Sequence, residues 1–250
     1  MNNIELKEKL IDLVNNHATV YAYGCWGNKL TESLINSKTK QYPWWYTESK
    51  KKQLKAMIKL GYVVWGFDCV CMIKSILWGF SADTSKSTGG AVYNSNNVPD
   101  ISANDMIKRC NNVSTDFSKI EVGEAVWLSG HIGIYIGNNQ VAECTPAWKN
   151  KVQITNLSQR KWLKHGKLPY ITYQSSNSSF LGNRGYLKVG DSGTNVEKIC
   201  DYMANKVEGN YFGPYLKSVI TEFQKQNKIE VDGNIGPITL KKLKEDGFKE

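Results

Sequence analysis

A polar stretch near the middle of the chain limits what the sequence can fold into. Gln174-Ser175-Ser176-Asn177-Ser178-Ser179 runs on to Gly182-Asn183-Arg184-Gly185 and offers little to a hydrophobic core. It is expected to be a linker over 174–185, dividing residues 1–173 from 186–250. Charge divides at the same point. Residues 186–250 carry ten Lys against ten Asp and Glu, so the net +9 of the chain lies in 1–185.

The first segment reads as helices followed by strands. Met1-Asn2-Asn3-Ile4-Glu5-Leu6 opens an amphipathic helix over about 3–16, and Val20 to Gly27 reads as a glycine-punctuated turn. An aromatic knot, Tyr42-Pro43-Trp44-Trp45-Tyr46, leads into a helix at about 47–60. Ser102-Ala103-Asn104-Asp105 caps a short helix. Alternating apolar residues then mark strands at Val126–Leu128, Ile132–Ile136, Gln140–Cys144, Lys151–Thr155 and Pro169–Tyr173. This order is α+β, with an antiparallel sheet. The second segment spells three short helices, around Val196–Met203, Tyr215–Gln226 and Ile238–Leu243, separated by glycine turns. Two Gly-Pro pairs, Gly213-Pro214 and Gly236-Pro237, suggest an internal duplication.

Chemistry concentrates around Cys69. In Gly66-Phe67-Asp68-Cys69-Val70-Cys71-Met72-Ile73, Asp68 is a helix N-cap and Cys69 falls in the first turn. Free N–H groups and the helix dipole there favour a thiolate. His131 starts the apolar run His131-Ile132-Gly133-Ile134-Tyr135-Ile136-Gly137, and Glu143 follows after an Asn138-Asn139 turn. A thiol on a helix start, an imidazole on a strand and a carboxylate on the next strand are the parts of nucleophilic amide hydrolysis. Cys71 is a rival nucleophile, but two residues along a helix turn it about 200° from Cys69, so one of the two faces a cleft. His17 and His165 read as structural or exposed.

The remaining composition excludes several classes. Six cysteines without a tight framework read as free thiols rather than disulfides. Three scattered histidines and no paired C-x-x-C argue against a metal, and no cofactor is called for. Basic residues are dispersed without a nucleic-acid motif, so a polyanionic cell wall fits the charge better than nucleic acid. No run is long and apolar enough for stable membrane insertion. The start lacks a secretory core, so synthesis in a cytoplasm and export by another route, such as a phage holin, are expected.

Two resemblances sharpen these readings. Leu187-Lys188-Val189-Gly190-Asp191-Ser192-Gly193, Tyr211-Phe212-Gly213-Pro214, Phe223-Gln224-Lys225 and Val231-Asp232-Gly233-Asn234-Ile235-Gly236-Pro237-Ile238-Thr239 resemble the three-helix peptidoglycan-binding module of bacterial and phage wall hydrolases. Ile199-Cys200 stands where Leu-Gln is usual. The first segment, over about 18–145, is similar to NlpC-type cysteine hydrolases of peptidoglycan, a papain-like fold. Tyr21-Ala22-Tyr23-Gly24-Cys25 stands at the family's Tyr-x-Trp-Gly-Gly, and Asp68-Cys69-Val70-Cys71 keeps the Asp and Cys of Asp-Cys-Ser-Gly. His131–Gly137 is nearly unchanged, and Glu143 takes the third polar place, as in the amidase-type branch of the superfamily.

The resemblance implies Cys69 as nucleophile, His131 as base and Glu143 as its orienting partner. Tyr21 and Asp68 would position substrate, although a core aromatic and a pure helix cap describe them equally well. Trp148 would touch glycan or peptide. The implied activity is phage endolysin-like cleavage of a stem-peptide amide in a Gram-positive wall. The alternatives are muramoyl-alanine amidase action, a transferase on the same scaffold, or a wall-binding protein without activity.

Overall fold

The computed structural model describes residues 1–173, 180–182, 184–203 and 209–249. The chain divides into two compact units, Met1–Gln174 and Ser175–Glu250. Most of the stretch expected as a linker, 174–179 and 183, lies outside the described residues. Phe180 and Leu181, also within that stretch, are buried in the core of the second unit.

In the first unit, α1 (Asn3–Asn16) begins at a reciprocal cap. The Asn2 side chain accepts from the N–H groups of Ile4 and Glu5, and Glu5 accepts from the Asn2 N–H. Leu6, Leu10 and Leu13 form its buried stripe. Two short strands follow, β1 (Ala18–Tyr21) and β2 (Trp26–Lys29), then α2 (Glu32–Gln41), α3 (Glu48–Ile58) and β3 (Val64–Phe67). The glycine turn expected at 20–27 therefore carries the end of β1 and the start of β2. The reversal itself centres on Gly24, at φ +72°. These strands form a small sheet in the order β1-β3-β2, with β1 parallel and β2 antiparallel to β3.

Next comes α4 (Cys69–Leu77), buried along its whole length, and then α5 (Ala103–Arg109). Even Lys74 on α4 is buried. Its ammonium pairs with Asp100, donates to the Ile101 carbonyl at 3.0 Å and lies 5.5 Å from the Trp78 ring.

The larger sheet comprises β4 (Asn111–Ser114), β5 (Ala125–Leu128), β6 (His131–Gly137), β7 (Gln140–Thr145), β8 (Lys151–Asn156) and β9 (Lys164–Lys167). Its order is β4-β9-β5-β6-β7-β8 and every pairing is antiparallel, so the α+β reading holds. The strand expected at 169–173 is instead found at β9. Its sequence Lys164-His165-Gly166-Lys167 lacks apolar alternation, and Gly166 is required because a Cβ there would stand 2.8 Å from Cys110 Cβ. Of the expected strand, Thr172 makes a single bridge to Asn2.

The second unit consists of α6 (Thr194–Met203), α7 (Pro214–Gln226) and α8 (Pro237–Glu245). Pro214 and Pro237 each occupy the first helical turn behind a glycine N-cap, so the duplicated Gly-Pro pairs do the same local work. Buried Gln224 fixes the turn before α8. Its amide donates to Asp232 Oδ1 and the Asn234 carbonyl, both at 2.8 Å, and its oxygen accepts from the Gly233 N–H at 2.8 Å. Among the described residues, no helix is long and apolar enough to cross a membrane.

Gly133 decides how β6 and β7 pack. A Cβ there would meet Val141 Cγ1 at 2.6 Å and Glu143 Cβ at 3.2 Å. Gly133→Ala should therefore lower stability by about 1–3 kcal/mol through overpacking, read as a lower urea midpoint at unchanged m.

Candidate functional site

Asp68 positions the start of α4. Its Oδ1 accepts from the Cys71 N–H at 2.7 Å, the expected cap, and its Oδ2 accepts from the Gly24 N–H at 3.0 Å. One carboxylate thus ties the first turn of α4 to the loop between β1 and β2. Burial raises its carboxyl above the usual range, against the two N–H groups and the Lys74 charge.

Cys69 follows at 7% exposure. Burial pushes its thiol up to about 12, and the Asp68 charge adds to the rise. The N–H groups of Ile132, Val70 and Cys69 pull the other way, which is the helix-start effect expected from the sequence, but desolvation outweighs it. The resting residue is a thiol. Its Sγ lies 3.9 Å from the Gly130 carbonyl, one residue before His131. Among the described residues no hydrogen bond joins this thiol to the imidazole. Burial pushes the Cys71 thiol well above its ordinary value, and the Asp68 charge adds to this.

Glu143 lies inside the sheet at 0% exposure and is fully partnered. Its Oε2 meets His131 Nε2 at 2.6 Å and accepts from Arg160 Nε at 2.7 Å. Its Oε1 accepts from Thr155 Oγ1 at 2.5 Å. Burial alone would raise this carboxyl. The bonds from His131 and Thr155, with the charges of His131 and Arg160, hold it below the usual carboxylate range instead. Because Nε2 of His131 is engaged by Glu143, Nδ1 is the nitrogen left for proton transfer.

The structure thus brings His131 and Glu143 together and sets Cys69 at the head of the same strand. Tyr21 belongs to the main core and packs on Trp45, with ring centroids 5.8 Å apart. Burial raises its hydroxyl above the ordinary tyrosine value, and the neighbouring Cys69, Asp68 and Cys144 add to this. Trp148 is half exposed, in a left-handed backbone conformation, with the Arg160 guanidinium 4.7 Å from its ring centroid.

Of the other histidines, His17 meets Asp12 at 3.1 Å. His165 is buried on β9, where its Nδ1 pairs with Glu124 and its Nε2 meets the Asp116 carbonyl at 3.1 Å. It is a structural residue inside the sheet, the first of the two roles expected for it. Sequence reasoning missed Thr155, Arg160 and Trp162. Trp162 stacks on the His131 ring, with centroids 5.6 Å apart and planes 18° apart. A signal for Arg160 was available, since the chain has only three arginines and otherwise uses lysine.

Glu143→Gln should cost about 3 kcal/mol near neutrality, because it leaves the Arg160 charge without its partner. The depressed carboxyl stabilises the fold above its unfolded value of about 4.3, and that contribution is lost as pH falls through the lower folded value. Urea midpoints of wild type and variant should therefore converge between about pH 5 and about pH 2.

No curated protein matches the chain. Residues 198–243 match the family model described as "Putative peptidoglycan binding domain". This match spans the end of α6, all of α7 and most of α8. The second unit therefore contains a peptidoglycan-binding module, and the function of the chain is associated with the cell wall.

Proposed function

We propose that the first unit is a cysteine hydrolase that cleaves an amide bond in the peptidoglycan stem peptide, while the second unit holds it on a Gram-positive wall. The observation that carries this reading is the orientation of His131. Glu143 engages Nε2, which leaves Nδ1 as the base, and Cys69 Sγ lies against the carbonyl of the preceding residue. The NlpC-like order of Asp68-Cys69, His131–Gly137 and Glu143 supports the same assignment.

In this mechanism the Cys69 proton passes to His131 as sulfur attacks the scissile carbonyl. The backbone N–H of Cys69 stabilises the developing oxyanion, an interaction worth roughly 3 kcal/mol. Glu143 stabilises the imidazolium, which protonates the leaving amine. Water, deprotonated by His131, then hydrolyses the thioester and regenerates the thiol. Because burial raises the Cys69 thiol, transfer of its proton to His131 accompanies the attack. Binding to an insoluble polymer raises the effective concentration of the catalytic unit at its substrate.

Two alternatives remain distinct. A muramoyl-alanine amidase would use the same residues on the bond joining peptide to sugar. A wall-binding protein without activity is favoured by one observation, the burial of Cys69 at 7% exposure.

Digestion of purified Gram-positive peptidoglycan, read by mass spectrometry, separates these readings. Wild type should release peptide-cleaved fragments, and Cys69→Ala should release them at least about a thousandfold more slowly while still sedimenting with the walls. Cleavage at the sugar–peptide junction would name the amidase. Absence of products from wild-type protein that binds the walls would overturn the hydrolase reading.

A further inference from the structure

Arg160 reaches His131 through two neighbours. Its Nε donates to Glu143 Oε2, the same oxygen that meets His131 Nε2. Its Nη2 donates to Thr145 Oγ1 at 2.8 Å, at the end of β7. Its guanidinium also lies 6.0 Å from the ring of Trp162, the residue stacked on His131. The imidazole is thus held at one edge by Glu143 and on one face by Trp162, and Arg160 contacts both.

The backbone that presents Arg160 is itself fixed. After β8 the chain makes a single tight turn, Leu157–Gln159. Asn156 Oδ1 accepts from the Ser158 N–H at 3.0 Å, and Gln159 Oε1 accepts from the Asn156 N–H at 2.6 Å. Trp148 packs against the guanidinium at 4.7 Å. The cation is thus held on several sides, with its side chain 18% exposed.

We propose that Arg160 is a positioning residue that fixes the Glu143 carboxylate against His131 and weakens the pull of that carboxylate on a proton at the imidazole. This role rests on the hydrolase reading for its consequence in catalysis, but not for its effect on the imidazole. A lone carboxylate beside His131 would strongly favour the imidazolium. A carboxylate already paired with a guanidinium favours it less, because the added proton meets a nearby positive charge.

The other titratable groups near the site come from three elements. Cys69 and Asp68 lie at the head of α4, Cys144 on β7 and Tyr21 on β1. Burial keeps both thiols and the tyrosine hydroxyl protonated, and the Asp68 carboxylate is occupied by the N–H groups of Cys71 and Gly24. Arg160 is the cation that acts on Glu143 alongside His131.

The test is an NMR titration of the imidazole resonances in the intact protein, which has three histidines. Arg160→Gln should raise the His131 midpoint by on the order of one pH unit, whereas Arg160→Lys should leave it near wild type. Unchanged His165 resonances report that the fold is intact. Thr145→Val, which removes the anchor of Nη2 together with the acceptor of the Ala147 N–H, leaves the bond from Arg160 Nε to Glu143 in place and should move the midpoint the same way by less; it serves if Arg160→Gln does not fold. A His131 midpoint unmoved in the folded variants, or moved equally by Gln and Lys, would overturn the proposal.

In wall digestion the acidic limb of kcat/KM should shift with the NMR midpoint. A merely structural role would lower kcat/KM at all pH values without moving the limb. If wild type shows no turnover while the NMR midpoint still moves, the hydrolase reading fails and the role of Arg160 stands.

Discussion

A fully buried carboxylate is the constraint on which the first unit depends. An ionised Glu143 without partners would be prohibitively costly inside the sheet, so each of its oxygens must be satisfied by a donor held at a fixed place. The donors come from different parts of the chain. His131 is on β6, Thr155 is on β8, and Arg160 follows the turn after β8. β7 pairs with β8 in unbroken register from Gln140↔Asn156 to Thr145↔Lys151, which puts Thr155 on the same face as Glu143. On the other side, Gly133 presents no side chain where Glu143 approaches β6, which leaves space for the bond from His131. A slip of one residue in either pairing would turn the carboxylate to the opposite face and strand it.

The same solution recurs in other places. Asp68 caps α4 and also holds the loop at Gly24, so one buried charge joins the helix to the small sheet. Lys74, on the same helix, is paired with Asp100 and holds the segment before α5. Glu124 and His165 join β9 to the residue just before β5. In the second unit Gln224, uncharged but equally buried, satisfies three groups of one turn. These buried charged and amide groups sit where elements must be joined, and each of them comes with its partners.

Much of this was legible in the sequence because it follows from local chemistry. Asp68 before Cys69, Asn2 before α1 and Ser102 before α5 announce helix starts by their own hydrogen-bonding capacity. The apolar residues of β6, β7 and β8 mark them as strands, although burial runs through β6 and β7 almost without a break. β9 was not legible because its lysines and Gly166 answer to neighbouring strands rather than to local pattern. The partner of His165 was hidden with it, since a histidine among lysines gives no sign of a buried glutamate 41 positions away. The His131–Glu143 pair could be anticipated from adjacent strands. The contributions of Thr155, Arg160 and Trp162 could not, because they depend on tertiary positions that no short motif records. The thiol of Cys69 marks a different limit. Its helix-start setting is local, whereas the depth that outweighs it depends on the whole unit.

All six cysteines are buried and unpaired. A wall-associated protein meets conditions in which exposed thiols oxidise, and here the folded state itself is their protection. Five of the six lie in the first unit, so any opening of that unit releases several reactive sulfurs together. Disulfides formed in the open chain would then prevent the return to the closed one. Durability outside a reducing environment is in this sense a matter of how slowly the first unit opens rather than how favourable its closure is at equilibrium.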